Sequence, residues 1–195
     1  MKLELRGLLL AAVMCAGFGA AVASKPVAQR GGGASGSNTS VYTDIAGNKC
    51  RTIKVIEETG EAVQRCPGIA GYKLEVEDGD ARMSVSVVAP SGRKSELSYW
   101  QVITTSFSSL GDKAEWRVRR VNGKVVPVAL IVRVNASEDP SNPEKTTSYL
   151  AVAKITPRKS CVTARIAPGA GANEEARRAA DLAATKPCLE DTRPE

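Results

Sequence analysis

The chain of 195 residues contains no histidine. That absence removes Ser-His-Asp and Cys-His nucleophile chemistry and every His-ligated metal site. Aromatic residues are scarce as well, at 4%: Trp100, Trp116, Tyr42, Tyr72, Tyr99, Tyr149, Phe18 and Phe107. Carbohydrate and single-stranded nucleic-acid binders lean on aromatic stacking platforms, so the scarcity weighs against both classes. No apolar run reaches the roughly 20 residues that a spanning helix needs. No C-x-x-C pair supports a redox or thiolate-metal site. Nor is there a dense Lys/Arg run, so a nucleic-acid partner is not expected. No repeat of 20–50 residues is visible.

What is present begins at the N-terminus. Lys2 and Arg6 precede an apolar run that opens with Leu8-Leu9-Leu10-Ala11-Ala12-Val13-Met14 and ends at Val22. Ala21-Val22-Ala23 is a small-x-small cleavage site ahead of Ser24 and Lys25. Residues 1–24 therefore read as an export signal, cleaved near Ala23 or Ser24. Two alternatives fit less well. A membrane anchor would need a longer run than this one, which Gly17 and Gly19 interrupt. A lipid anchor on Cys15 would want a small residue where Met14 stands. The expected location is periplasmic or secreted, where disulfides survive. Cleavage leaves about 171 residues, enough for one domain with a core. Removing Lys2, Arg6 and Glu4 from 27 Lys+Arg and 21 Asp+Glu leaves a mildly basic mature chain, near +5. Such a charge favours solubility and weak attraction to anionic surfaces.

Four cysteines remain once Cys15 leaves with the signal: Cys50, Cys66, Cys161 and Cys188. An even number in an oxidising compartment reads as two disulfides with three connectivities open. Closeness in sequence favours Cys50–Cys66 and Cys161–Cys188. The first would close a loop of ~15 residues, worth about 3 kcal/mol in the chain-entropy model.

Residues 25–40 are Gly/Ser-rich and predict a flexible leader, with the folded domain over 41–190 and a tail at 191–195. Arg51–Glu57 and Ala62–Cys66 read as strands around Thr59-Gly60, and Cys66-Pro67-Gly68 as a break. In the next hairpin Tyr72, Leu74 and Val76 alternate with Lys73, Glu75 and Glu77. After Asp78-Gly79 the pattern resumes through Ala81, Met83, Val85 and Val87, opposite Arg82, Ser84 and Ser86. One face should be buried and one wet. Residues 96–107 read as a strand or a loop that packs Trp100 and Phe107. Lys113–Val121 should turn Trp116 and Val118 inward and Glu115, Arg117 and Arg119 outward. Asn122-Gly123 is a two-residue hairpin turn, because both positions tolerate positive φ. The return strand runs to Val134, and its Pro127 points to an edge or a bulge. Ser148–Ile155 and Ser160–Ile166 are the last strands. Asn173 should then cap a helix from Glu174 to Lys186, with Ala176, Ala179, Ala180, Leu182 and Ala183 facing the sheet. The expected fold is mainly β (α+β): an antiparallel sheet or partial barrel of seven to eight strands with one C-terminal helix packed on it.

Candidate chemistry is thin. Glu75, Glu77, Asp78 and Asp80 lack EF-hand spacing and read as a solvated hairpin tip rather than a calcium site, as do Glu57, Glu58 and Glu61. No metal or other cofactor is expected. Arg93, Lys94, Arg117 and Arg119 form a candidate anion-binding patch, weighed against an ordinary wet strand face. No S-x-x-K motif supports a Ser-Lys dyad.

Tyr42-Thr43-Asp44, Cys50, Arg65-Cys66-Pro67-Gly68 with Gly71-Tyr72, and Asp78-Gly79-Asp80 together form a distinctive series. With Glu115-Trp116-Arg117 and an Ala-rich segment ending at Cys188, it resembles a group of small exported bacterial proteins of uncharacterised function. The resemblance implies an envelope protein and supplies no catalytic residues. The leading expectation is a non-enzymatic exported binding domain for an envelope component or protein, with at most peripheral membrane contact. The alternatives are a lysozyme-inhibitor-like protein and a His-free envelope hydrolase acting through carboxylates.

Overall fold

The computed structural model describes residues 38–190. The segment read as an export signal, most of the leader, and the tail at 191–195 lie outside the described residues. In chain order the strands are β1 (Thr39–Asp44), β2 (Arg51–Ile56), β3 (Glu61–Pro67), β4 (Lys73–Gly79), β5 (Arg82–Val88) and β6 (Lys94–Glu96). A four-residue helical turn, α1 (Tyr99–Val102), leads to β7 (Ser108–Val121), β8 (Lys124–Ala136), β9 (Thr147–Lys154) and β10 (Cys161–Ile166). The C-terminal helix is α2 (Ala172–Leu182). The chain is mainly β with one C-terminal helix, as its alternation predicts, but it has ten strands rather than seven to eight. The two additions are β1 and β6. β1 takes Thr39 and Ser40 out of the stretch read as leader. Its run of Thr, Val and Tyr gains a strand partner only through β7, 69 or more residues away, which local reading does not reveal.

The sheet runs β10-β9-β8-β7-β5-β4-β3-β2, with β1 on β7 and β6 on β5. Every pairing is antiparallel except one: Arg82 of β5 meets Ser108 of β7 in parallel, so the sheet is mixed. β7 spans 14 residues and divides one edge between two partners. Its start meets β5, while Lys113–Val118 pairs with β1. The bend expected near Pro127 is present: Val118 lies opposite Pro127 and Arg117 opposite Ala129, leaving Val128 as the extra residue of a bulge.

Two clusters form the core. Leu74, Val76, Val85 and Val87 of β4 and β5 share one with Trp116, Val118, Leu130, Val132 and Ala151 of β7–β9. The second lies on the opposite face of β8 and β9, where Ala129, Ile131, Leu150 and Val152 meet Ala176, Ala180 and Ala183. β8 and β9 are thus buried on both faces, which explains why Val128–Val132 and Tyr149–Ala153 lack alternation. A bulge at Thr163 turns β10 so that Val162 faces the first cluster and Ile166 the second.

The helix departs from expectation in two respects. Gly171, at φ 83°, holds the N-cap position in place of Asn173. Leu182 is 58% exposed, because the buried stripe set by Ala176, Ala180 and Ala183 leaves it about 200° around from Ala180. Both disulfides form as favoured, Cys50–Cys66 and Cys161–Cys188. Behind the first, a β-carbon on Gly68 would strike the Tyr72 carbonyl, so the Cys-Pro-Gly turn needs glycine there. Beyond the second, the Leu189 amide donates to the Val162 carbonyl at 2.8 Å, covering part of the β10 edge.

Candidate functional site

The polar face of β7 is covered at its middle, while Lys113 and Arg119 at either side stay exposed. Arg117 is only 8% exposed. Its Nε and Nη2 donate to the two carboxylate oxygens of Asp181 at 2.9 and 3.0 Å, its Nη1 to Ser40 Oγ at 2.6 Å, and its Nη2 also to the Asn38 carbonyl at 2.9 Å. Every branch of the guanidinium is committed to joining β7, β1 and α2. Next to it, Arg177 of α2 donates to Glu115 at 2.7 Å and to the Tyr42 hydroxyl at 3.1 Å. Burial pushes the Glu115 carboxyl up, but hydrogen bonds from Arg177 and Ser40 and the Arg177 charge outweigh it and hold it below the usual range. A cleft of about 220 Å³ beside this pair is lined by Tyr42, Lys113, Arg133 and Asn173 among others.

The outward face of β3–β6 carries a second network without a helix over it. Glu75 is 5% exposed, and it accepts from Arg65 at 2.5 Å and pairs with Lys94 at 3.2 Å. Lys94 also pairs with Glu77 at 2.6 Å, and Glu77 accepts from Ser86 at 2.8 Å. Burial raises the Glu75 carboxyl, and its bonds to Arg65 and Lys94 more than reverse that. Burial would lower the Lys94 ammonium, but its bonds to Glu77 and Glu75 raise it instead. The hairpin face expected to be wet is therefore half closed. Ser84 and Ser86 are buried, as is Glu75, which is no part of a solvated tip.

Lys94 leads into an open groove of about 420 Å³ lined by Arg93, Lys94, Ser95, Glu96, Arg158, Lys159 and Ser160. Two copies of the tripeptide Arg-Lys-Ser, 93–95 and 158–160, meet there. The Ser160 amide donates to Ser95 Oγ at 3.0 Å and locks the two segments together. The second segment is shaped by its own turn, in which the Lys159 amide donates to Thr156 Oγ1 at 3.0 Å and that hydroxyl donates to the Lys159 carbonyl at 2.7 Å. Among the described residues, Arg93, Arg158 and Lys159 have no ion-pair partner, and Glu96 is the one acid lining the groove.

The four cations expected to share a patch are thus divided. Arg93 and Lys94 line the groove. Arg117 is withdrawn beneath α2, and Arg119 is exposed near the end of β7. Sequence reading missed Arg158 and Lys159. The signal available was the repeated Arg-Lys-Ser, each copy beginning within three residues of a proline. Trp100 and Phe107 do not pack inward as expected: Phe107 is 53% exposed and lies under the Arg82 guanidinium at 4.7 Å. The short α1 turn and the extended strand pairing at Ser108 leave them at the surface.

Glu75 and Glu115 are biased toward the ionised form by their partners, the opposite of what a general acid requires. Among the described residues, no group of three His, Cys, Asp or Glu is placed to hold a metal ion. No helix among them is long and apolar enough to cross a membrane. No protein-family model matches the chain, and neither a curated protein nor a solved structure matches it.

Proposed function

We propose that the protein is an exported, non-enzymatic binding domain that engages an anionic component of the cell envelope through the groove between its two Arg-Lys-Ser segments. The observation that carries this reading is the convergence of Arg93, Arg158 and Lys159 on one open groove without acidic partners among the described residues. Two arginines favour ligands with phosphate or carboxylate groups, which the guanidinium fork can grip through two bonds. The Ser95 hydroxyl, which accepts from the Ser160 amide, keeps its own proton to donate. Export rests on the N-terminal signal pattern, and two disulfides are compatible with an oxidising location.

A binder fits better than a carboxylate hydrolase. Glycoside hydrolysis of the usual kind needs one acid kept protonated near neutral pH. The two enclosed glutamates here are biased toward ionisation. The test is titration with heparin over a salt series, comparing the mature protein with Arg93→Ala/Arg158→Ala/Lys159→Ala. Loss of three surface charge contacts should weaken binding at least about tenfold at low salt. Equal affinity of the two proteins would overturn the reading.

A further inference from the structure

More cations lie beyond the groove on the outward face. Arg51 of β2 stands directly opposite Arg65 of β3. Cys50 precedes the first and Cys66 follows the second, so their disulfide pins this crossing. Like charges directly opposite on neighbouring strands cost stability. Arg65 donates its Nε and Nη2 to Glu75 Oε1 at 3.1 and 2.5 Å, and its Nη1 makes no hydrogen bond among the described residues. Lys73 of β4 shares this face, two residues before Glu75, the register partner of Arg65. Arg51 and Lys73 are both exposed, and among the described residues no ion pair engages either. Val88 of β5 faces Lys73 on one side and Lys94 on the other. The cations therefore form a row across the strands: Lys94 and the groove at β6, Lys73 at β4, Arg65 at β3 and Arg51 at β2. Of the acids beside the row, Glu75 and Glu77 are committed to Arg65 and Lys94, and Glu96 lines the groove. Lys54 and Glu61 stand off it, in a cleft toward the other end of β3 and β4.

We propose that this row is a second subsite continuing the groove, and that its ligand is a linear anionic glycan laid across the strands from β6 to β2. The proposal rests on the anion-binding reading of the groove and names the ligand class. β6 and β2 are four strand steps apart, about 20 Å. Lys94 and Lys73 are separated by two steps, about 10 Å, and Arg65 and Arg51 by one, about 5 Å. A chain with a charged group on every sugar or two meets these cations in turn. Duplex DNA carries a charge per ~1.7 Å of axis and is far denser, and no aromatic ring in the row can stack a single-stranded base. A bilayer presents a plane of charge rather than a line. An acidic peptide would draw its backbone bonds from a sheet edge, whereas this row crosses the strands. A sulfate or carboxylate seated between Arg51 and Arg65 relieves their repulsion, so the opposed pair favours the liganded state.

The experiment is calorimetric titration of the mature protein at low salt with a heparin disaccharide, which the groove alone accommodates, and with an octasaccharide. Arg51→Gln/Lys73→Gln should weaken the octasaccharide about fivefold, the loss expected from two exposed charge contacts, and leave the disaccharide unchanged. Arg119→Gln/Arg120→Gln removes the same charge at the end of β7 and should change neither fragment by more than about twofold. In the free protein, the urea midpoint of Arg51→Gln should hold or rise, since one of two opposed charges is gone. A lower midpoint would assign Arg51 to the fold and overturn the subsite. So would an octasaccharide that ignores Arg51→Gln/Lys73→Gln or responds equally to Arg119→Gln/Arg120→Gln; the groove then stands alone if Arg93→Ala/Arg158→Ala/Lys159→Ala still weakens the disaccharide. If that triple variant binds the disaccharide normally, the anion-binding reading itself falls. Phosphatidylglycerol vesicles that bind more tightly than the octasaccharide, with the same fivefold loss in Arg51→Gln/Lys73→Gln, would identify a lipid surface and overturn the glycan.

Discussion

On the outward face of β7–β10, Glu115 and Arg117 pair with Arg177 and Asp181 of α2. On the outward face of β3–β6, Glu75 and Glu77 of β4 pair with Arg65 of β3 and, across β5, with Lys94 of β6. Both halves neutralise buried charge, but with different consequences. In the first, charge serves to fasten a helix, and the face is spent on the fold. In the second, the strands satisfy one another, and the face stays open with Lys94 at the entrance to a groove. The difference shows why an arginine on a strand reads ambiguously. Arg117 and Arg119 lie on the same strand and face, and α2 covers the first while the second stays exposed.

The sharpest way to break that comparison is to place the same charge on both faces. Ile131→Lys puts an ammonium under α2 and should cost about 4 kcal/mol or more, enough to unfold a marginal domain. Val63→Lys, on the open half, should cost under about 1 kcal/mol. Urea midpoints of the two variants measure the contrast. The disulfides come next. Cys161–Cys188 closes 27 residues and Cys50–Cys66 closes 16, so the chain-entropy model assigns about 3.5 and about 3 kcal/mol. Serine variants of Cys188 and Cys50, measured by thermal melting, should rank in that order. Only the first should speed amide exchange at Leu189, whose bond to Val162 depends on the strap.

Arg117→Met is a smaller test. It strips Asp181 and Ser40 of a shared donor and should cost about 2–3 kcal/mol. Lys94→Met leaves Glu75 with Arg65 and should cost less. The pH response is the finest probe. Glu75, Glu115 and Asp181 all have lowered carboxyl values in the folded protein. Their contribution is therefore complete above the ordinary carboxylate range, roughly pH 4, and is lost as pH falls through the folded values. Stability should drop below about pH 4, and Glu75→Gln or Asp181→Asn should flatten that drop. A stability curve unchanged by either substitution would contradict the pairing described for that face.

Much of the fold was legible because local chemistry sufficed. Alternation in Tyr72–Val87, the Asn122-Gly123 turn with φ of 50° and 76°, and cysteines close in sequence each act over short range. β1 was hidden because its partner is distant, and β6 because three residues carry no pattern. β8 and β9 were expected as strands, but what lies on their second face was not. The same limit governs the site. Arg93 and Lys94 could be named from charge, whereas Arg158 and Lys159 join them only through the β9–β10 turn. Arg117 was lost to the patch because α2, arriving 55 residues later in the chain, covers it.

We place the binding surface on the open half. Chemical-shift mapping with a short heparin fragment tests it directly. Perturbations should centre on Arg93, Ser95, Arg158, Lys159 and Ser160 and fade with added salt. Perturbations centred instead on Arg119, Arg120 and Lys124, or along α2, would contradict it.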